Sequence, residues 1–265
     1  MTAPLTAPTI LQELFGLAGA RAAVVGGTGV LGGRFVDVLA AAGAEVVVLG
    51  RSTERGAAAV DRVSAAGGSA WFQPMDATDR ASVEAAADAV AQRGGADILV
   101  NAPGVNSATP FDEITDEEWH RLLEVNLTGV FRTIQQFRPQ LREREHGASV
   151  INISSASSGP PLSRVLGYGV AKAGVNNLTQ YLARELAPDG IRVNAIVPGF
   201  FPAEQNRRLL TDDRVDAILG HTPAGRLGEP QELDGALLWL ASSRASAFVT
   251  GSLVHVDGGF SAMTI

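Results

Sequence analysis

Tyr168 and Lys172 stand four residues apart in Tyr168-Gly169-Val170-Ala171-Lys172, which sets a phenol and an ammonium on one face of a helix. Twenty of the 21 basic residues are arginine, and Lys172 is the only lysine. A lysine kept against that bias suggests a task a guanidinium does poorly. Free tyrosine ionises at about pH 10 and is a weak base near neutrality. A neighbouring cation favours the phenolate and brings it toward working range. A flexible ammonium does this while keeping donors for a ligand's hydroxyls, which a rigid fork does less well. Thirteen residues before Tyr168, the apolar run 150–153 ends in Ser154-Ser155. A hydroxyl leaving the carboxyl end of a central strand can donate to a substrate oxygen. Ser155 has the spacing, and Ser154 is read as structural. Such a set moves protons on and off a substrate oxygen.

Those residues need a frame to hold them. Short apolar runs at Ala22–Val25, Val46–Leu49, Ala70–Gln73, Ile98–Val100, Val150–Ile153, Arg192–Val197 and Ser252–Val256 read as strands. They are nearly continuously apolar, as in a parallel sheet covered on both faces. Helical patterns at Gly33–Ala42, Arg80–Gln92, Asp116–Leu141, Gly169–Leu186 and Pro230–Ala241 alternate with them, and Thr115 is an N-cap ahead of three acids. The expected fold is a Rossmann-like, doubly wound α/β sheet with helices on both faces. No repeat or linker divides the chain, so residues 1–265 read as one domain. Residues 1–15 look like a loosely packed lead-in. Residues 200–230 break the alternation and are expected to form a substrate loop.

The first strand runs into Gly26-Gly27-Thr28-Gly29-Val30-Leu31-Gly32-Gly33 and then a helix. Glycines there let backbone approach a pyrophosphate seated on the helix N-terminus. Gly26, Thr28, Val30, Leu31 and Gly32 are the expected contacts. The second strand ends Leu49-Gly50-Arg51-Ser52, with no carboxylate where a ribose-binding acid belongs. Arg51 and Ser52 suit a 2′-phosphate instead, which favours NADP(H), with NAD(H) as the alternative.

Composition excludes several classes. A net charge of −7 argues against a nucleic-acid binder. The absence of cysteine removes disulfides, thiolate catalysis and cysteine-ligated zinc. His120, His146, His221 and His255 are scattered, and no metal is expected. Trp71, Trp119 and Trp239 are expected in core packing. No apolar window is long enough to span a bilayer and no signal peptide is evident, so a cytoplasmic protein is expected.

These motifs together resemble the short-chain dehydrogenases/reductases, in their single-domain branch. The likeness covers the glycine loop, Asp76-Ala77, Asn101-Ala102-Pro103-Gly104, Asn126, Ser155, Tyr168, Lys172, Pro198-Gly199 and Asp257-Gly258-Gly259. The resemblance implies Tyr168 as general acid/base, Ser155 as the holder of the substrate oxygen, and Lys172 as a ribose ligand that lowers the tyrosine pKa. Asn126 would hold a water linking Lys172 to solvent. Asp76 and Ala77 would line the adenine, and Asn101, Ala102, Pro103 and Gly104 the adenosine side. Pro198, Gly199 and Phe201 would run beside the nicotinamide. Val25, Val30, Pro103 and Ala203 depart from the family's usual residues: the two valines imply a tighter-packed but usable loop, Pro103 removes one backbone donor at most, and Ala203 lacks the hydroxyl of the threonine that often contacts the cofactor. The family commonly forms tetramers through the helices around 116–141 and 169–186, so a homotetramer is expected. The C-terminal third is similar to sugar-acid oxidoreductases of the fructuronate/mannonate type, which implies a small polar carbonyl or alcohol substrate such as a keto-sugar acid. Arg164, Arg207 and Arg208 are candidates to meet an anionic substrate. A 3-oxoacyl thioester reductase, and a non-catalytic cofactor-binding scaffold or sensor, are the alternatives.

Overall fold

The computed structural model describes residues 7–201 and 212–263. Seven parallel strands form one sheet in the order β3-β2-β1-β4-β5-β6-β7. They are β1 (Arg21–Val25), β2 (Glu45–Gly50), β3 (Ser69–Pro74), β4 (Ile98–Asn101), β5 (Ala148–Ile153), β6 (Ile191–Pro198) and β7 (Leu253–Val256). Every expected strand is present. The chain steps outward from β1 to β3, then returns to place β4 against the other side of β1. That reversal opens a crevice beyond the carboxyl ends of β1 and β4, the usual ligand position in such sheets.

Residue alternation along the strands supplies both faces. Ala22, Val24, Val46, Val48, Ile98, Val100 and Ile151 pack on one side with α2 (Val30–Ala41), α3 (Thr53–Ala65) and α9 (Asp234–Ala241). Ala23, Val25, Val47, Leu49, Leu99 and Val150 pack on the other with α4 (Arg80–Gln92), α6 (Gly129–Arg142) and α7 (Leu166–Leu186). Because each face carries its own apolar layer, the strands read as unbroken hydrophobic runs.

Three helices depart from the expected pattern. The lead-in contains α1 (Ala7–Phe15), and α3 and α8 (Asp212–His221) were not among the expected helices. The expected helix 116–141 is broken: α5 (Asp116–Leu123) passes through a π-turn at Glu124–Thr128 into α6. The physical cause lies in Asn126, whose side-chain amide donates to the Leu122 carbonyl (2.9 Å) within the helical run. Thr115 caps α5 as expected, accepting from the Glu118 N–H at 3.2 Å. The three tryptophans are half-buried: Trp71 and Trp239 pack against the apolar layers as expected, Trp71 beneath Arg93, while Trp239 donates to the Ala245 carbonyl. No helix among the described residues is long and apolar enough to cross a membrane.

Candidate active site

A cavity of about 410 Å³ lies over the carboxyl ends of β1, β2, β4, β5 and β6. Its wall nearest β1 is the glycine loop. Gly26 has φ +74, and a Cβ there would come within 2.6 Å of the Ala102 carbonyl. A Cβ on Gly32 would lie 2.1 Å from the Gly26 carbonyl, so neither position admits a side chain. The loop therefore folds tightly into α2. No side chain caps α2, and its first turn carries no acid. Gly29, Val30, Leu31 and Gly32 line the cavity. First-turn N–H groups without a cap are a ready anion site.

The end near β2 is built for charge recognition. A Cβ at Gly50 would sit 2.7 Å from the Thr28 hydroxyl, so Thr28 already fills the place where a ribose-binding carboxylate would project. Arg51 and Arg55 line the cavity there, both exposed. Burial pushes the Asp76 carboxyl up, but the Thr78 N–H and hydroxyl and the Arg51 charge outweigh it and leave it below its ordinary value. Ser52 is elsewhere engaged: its hydroxyl caps α3 by accepting from the Arg55 N–H (3.3 Å), and it does not line the cavity.

The opposite end gathers Ser155, Tyr168 and Lys172, the expected catalytic groups. Tyr168 and Lys172 lie one turn apart on α7, and Ser155 follows β5. All three line the same cavity. The Ser155 hydroxyl, which pulls the Tyr168 phenol down, donates to the Ser157 hydroxyl (3.2 Å) and accepts from the Ser157 N–H (3.1 Å). Lys172 is buried, and its ammonium donates to the Ile153 carbonyl (2.8 Å) and the Pro103 carbonyl (3.4 Å). Its nitrogen lies 5.6 Å from the centre of the Tyr168 ring. Ser154 donates to the Lys172 backbone carbonyl at 3.3 Å, a structural contact.

The electrostatics differ from expectation in one respect. Burial raises the Tyr168 phenol, and the Ser155 hydrogen bond offsets this only in part. Burial also pulls Lys172 down to about 8. The expected lowering of the phenol by its cation neighbour is absent because desolvation dominates both groups.

Two more expected positions lie apart from the cavity. Asn101 is fully buried on the α7 face of the sheet, where its amide donates to Asn152 (2.9 Å), which in turn donates to Thr179 (2.9 Å). It faces neighbouring elements because register places it beside Asn152, not beyond the strand end. Asn126 is also fully buried. Its side chain accepts from the Val105 N–H (3.2 Å) and donates to the Val105 carbonyl (2.9 Å). Asn126 thereby fixes the segment whose Pro103 carbonyl takes the Lys172 ammonium. The other expected cofactor positions, including Ala77, Ala102, Gly104, Pro198, Gly199 and Phe201, line the cavity.

Sequence reasoning missed Arg55, Asn106, Phe200 and Arg214, which line the cavity. Arg55 was findable, since it lies four residues after Arg51, in the first turn of α3. It also missed the support behind Ser155: Asn176 donates to the Ser158 hydroxyl (2.8 Å), which donates to the Ser155 carbonyl (2.6 Å). Asn176 falls four residues after Lys172 on the same helical face, a signal available in the spacing. Arg164 is exposed at φ +64 and does not line the cavity. Ala203, Arg207 and Arg208 lie outside the described residues.

An uncapped helix start, a filled ribose-acid position and a cation pair beside it fit a nicotinamide dinucleotide. Comparison with known proteins agrees. The family described as enoyl-(acyl carrier protein) reductase matches residues 29–261. The chain belongs to the short-chain dehydrogenases/reductases. It is an NAD(P)-dependent oxidoreductase of that family. A Bacillus subtilis (strain 168) relative, "uncharacterized oxidoreductase UxuB", is 40% identical over 271 residues, covering 93% of this chain and 96% of its own. The 3-oxoacyl-[acyl-carrier-protein] reductase FabG of Escherichia coli (strain K12) is 38% identical over 186 residues, covering 70% and 75%. The crystal structure of a gluconate 5-dehydrogenase from Burkholderia cenocepacia, in complex with NADP and tartrate, superposes with a TM-score of 0.91 at 36% identity, covering 96% of this chain and 99% of its own.

Proposed function

We propose that this short-chain dehydrogenase/reductase interconverts a ketone and a secondary alcohol on a keto-sugar acid or similar small polar molecule, using NADP(H). The observation that carries the chemistry is the joining of Ser155, Tyr168 and Lys172 in one cavity with the uncapped start of α2. The bound dinucleotide supplies or accepts the hydride. Tyr168 gives its phenolic proton to the carbonyl oxygen in reduction and takes it back in oxidation. Ser155 holds that oxygen by a hydrogen bond. Lys172 binds ribose hydroxyls with the ammonium now aimed at Ile153 and Pro103. Asn126 serves by holding Val105, with a water passing protons from Lys172 outward.

Arg51 and Arg55 support the preference for NADP(H), because two guanidinium groups suit a 2′-phosphate and Thr28 leaves no room for an acid at position 50. The gluconate 5-dehydrogenase with bound NADP supports both the cofactor and the substrate class. Reduction of a 3-oxoacyl thioester is the second reading, favoured by the likeness to FabG. The seven strands share one sheet, which supports reading 1–265 as one domain. Phe200, Phe201 and Arg214 line the cavity, which supports 200–230 as the substrate loop. Exposed Phe131 on α6 and Val170 and Tyr181 on α7 support a homotetramer built through these helices.

The test is a panel of keto acids, keto sugars and 3-oxoacyl thioesters followed by NADPH absorbance. Keto-sugar acids are expected to give the highest kcat/KM. A thioester that outruns them by tenfold overturns the substrate reading.

A further inference from the structure

We propose that Arg214, at the start of α8, reads the carboxylate of the substrate, an inference that rests on the sugar-acid reading above. Five charged side chains of the described residues line the cavity: Arg51, Arg55, Asp76, Lys172 and Arg214. Arg51 acts on Asp76, and both stand with Arg55 at the β2–β3 end. At the reacting end the charges among the described residues are Lys172 and Arg214, with no described carboxylate lining it. Lys172 is buried with its ammonium held by two carbonyls, so it is not placed to take an anion.

Arg214 has the opposite character. Its Nη2 donates to the Ser163 carbonyl at 2.9 Å, and its Nη1 makes a long contact of 3.4 Å with the Ser163 hydroxyl. No ion pair joins it to any carboxylate among the described residues. A guanidinium has five N–H donors in a planar fork, so an edge remains that suits a carboxylate. Ser163 lies five residues before Tyr168, which pins this cation to the segment that delivers the phenol. A substrate with a ketone at Ser155 and Tyr168 and a carboxylate at Arg214 is gripped at two points. Arg164, the neighbouring arginine, faces away from the cavity and has no such role.

A merely structural role would come from the Ser163 contact, and it would affect every substrate alike. The experiment therefore compares the full-length wild type, Arg214→Gln and Arg214→Lys at saturating NADPH, each on a ketohexonic acid and on the uncharged ketohexose of the same length. In Arg214→Gln, KM for the acid should rise at least tenfold while the ketohexose changes less than threefold. Arg214→Lys should retain part of the acid preference. Tartrate, a small hydroxy diacid, should inhibit the wild type competitively against the acid, and Arg214→Gln should need at least tenfold more of it. Equal losses on acid and ketohexose, or unchanged tartrate inhibition, overturn the role of Arg214 alone. A wild type that reduces ketohexose or thioester but no keto acid overturns the sugar-acid reading too, and it shows this before any substitution.

Discussion

At the β5–α7 end of the cleft, Lys172 is buried and its ammonium donates to the carbonyls of Ile153 and Pro103. At the β2–β3 end, Arg51 and Arg55 line the same cavity from exposed positions, and Asp76 is held by Thr78. Burial at the first end moves pKa values: Tyr168 goes up and Lys172 comes down to about 8. Exposure at the second keeps full charges available for recognition. On the proposed function, the contrast teaches that proton chemistry is placed where solvent is thin, and phosphate recognition where guanidinium groups are open to solvent.

The proton end should be the more fragile to substitution. Tyr168→Phe removes the only phenol in the cavity and should lower kcat by about a thousandfold or more while dinucleotide binding persists. Retained turnover in that variant refutes the assignment, and fluorescence titration with NADPH separates lost chemistry from lost binding. Lys172→Arg tests why lysine stands at this position. A guanidinium is larger than the ammonium and does not fit between the Ile153 and Pro103 carbonyls, so turnover should fall about a hundredfold. Near-normal rates with arginine would break the contrast at its most buried residue.

The charge end should respond in selectivity more than in rate. The wild type should bind NADPH at least about tenfold more tightly than NADH, and Arg51→Ala should erase most of that difference. Adding Arg55→Ala should remove the remainder, because both guanidinium groups line the same end of the cavity. Equal affinities of the wild type for the two cofactors would overturn the 2′-phosphate reading. Calorimetric or fluorescence titration of both forms decides it.

The two ends also differ in how much of them the sequence discloses. The strands are legible because each carries an apolar layer on both faces, and Val46–Leu49 can hardly be read otherwise. Tyr168, Lys172 and Ser155 are legible because helical spacing and a strand end fix their relative places. Ser52 misleads, since a hydroxyl next to Arg51 serves equally well as a helix cap, and only the polar, alanine-rich α3 behind it decides which. Asn101 misleads for a different reason. Sequence places it at the end of β4, but the lateral neighbour Asn152 that captures its amide comes from β5, 51 residues away. The anchoring role of Asn126 is hidden likewise, because the Val105 backbone that engages its side chain lies in the loop after β4, 21 residues away. Contacts within one element are written in its own spacing; contacts across elements depend on the register between them.

The smallest expected effect is one of stability, and it probes the buried end without any ligand. Lys172 has a pKa of about 8 in the fold against its ordinary 10.5. Below about pH 8 both the folded and the unfolded chain hold this proton, so the burial penalty is fully present and constant. Between about 8 and 10.5 the unfolded chain binds more protons at this site, so the contribution of Lys172 to stability rises with pH. Lys172→Met removes the titration, and the carbonyls it leaves unpaired cost the same at every pH. The stability of the wild type minus that of Lys172→Met, from urea midpoints at constant ionic strength, should be flat from pH 6 to about 8 and then climb toward 10.5. A difference that stays level across that upper window would show that Lys172 keeps its ordinary pKa in the fold. The contrast between a desolvated proton end and a solvated charge end would then fail at the residue on which it rests.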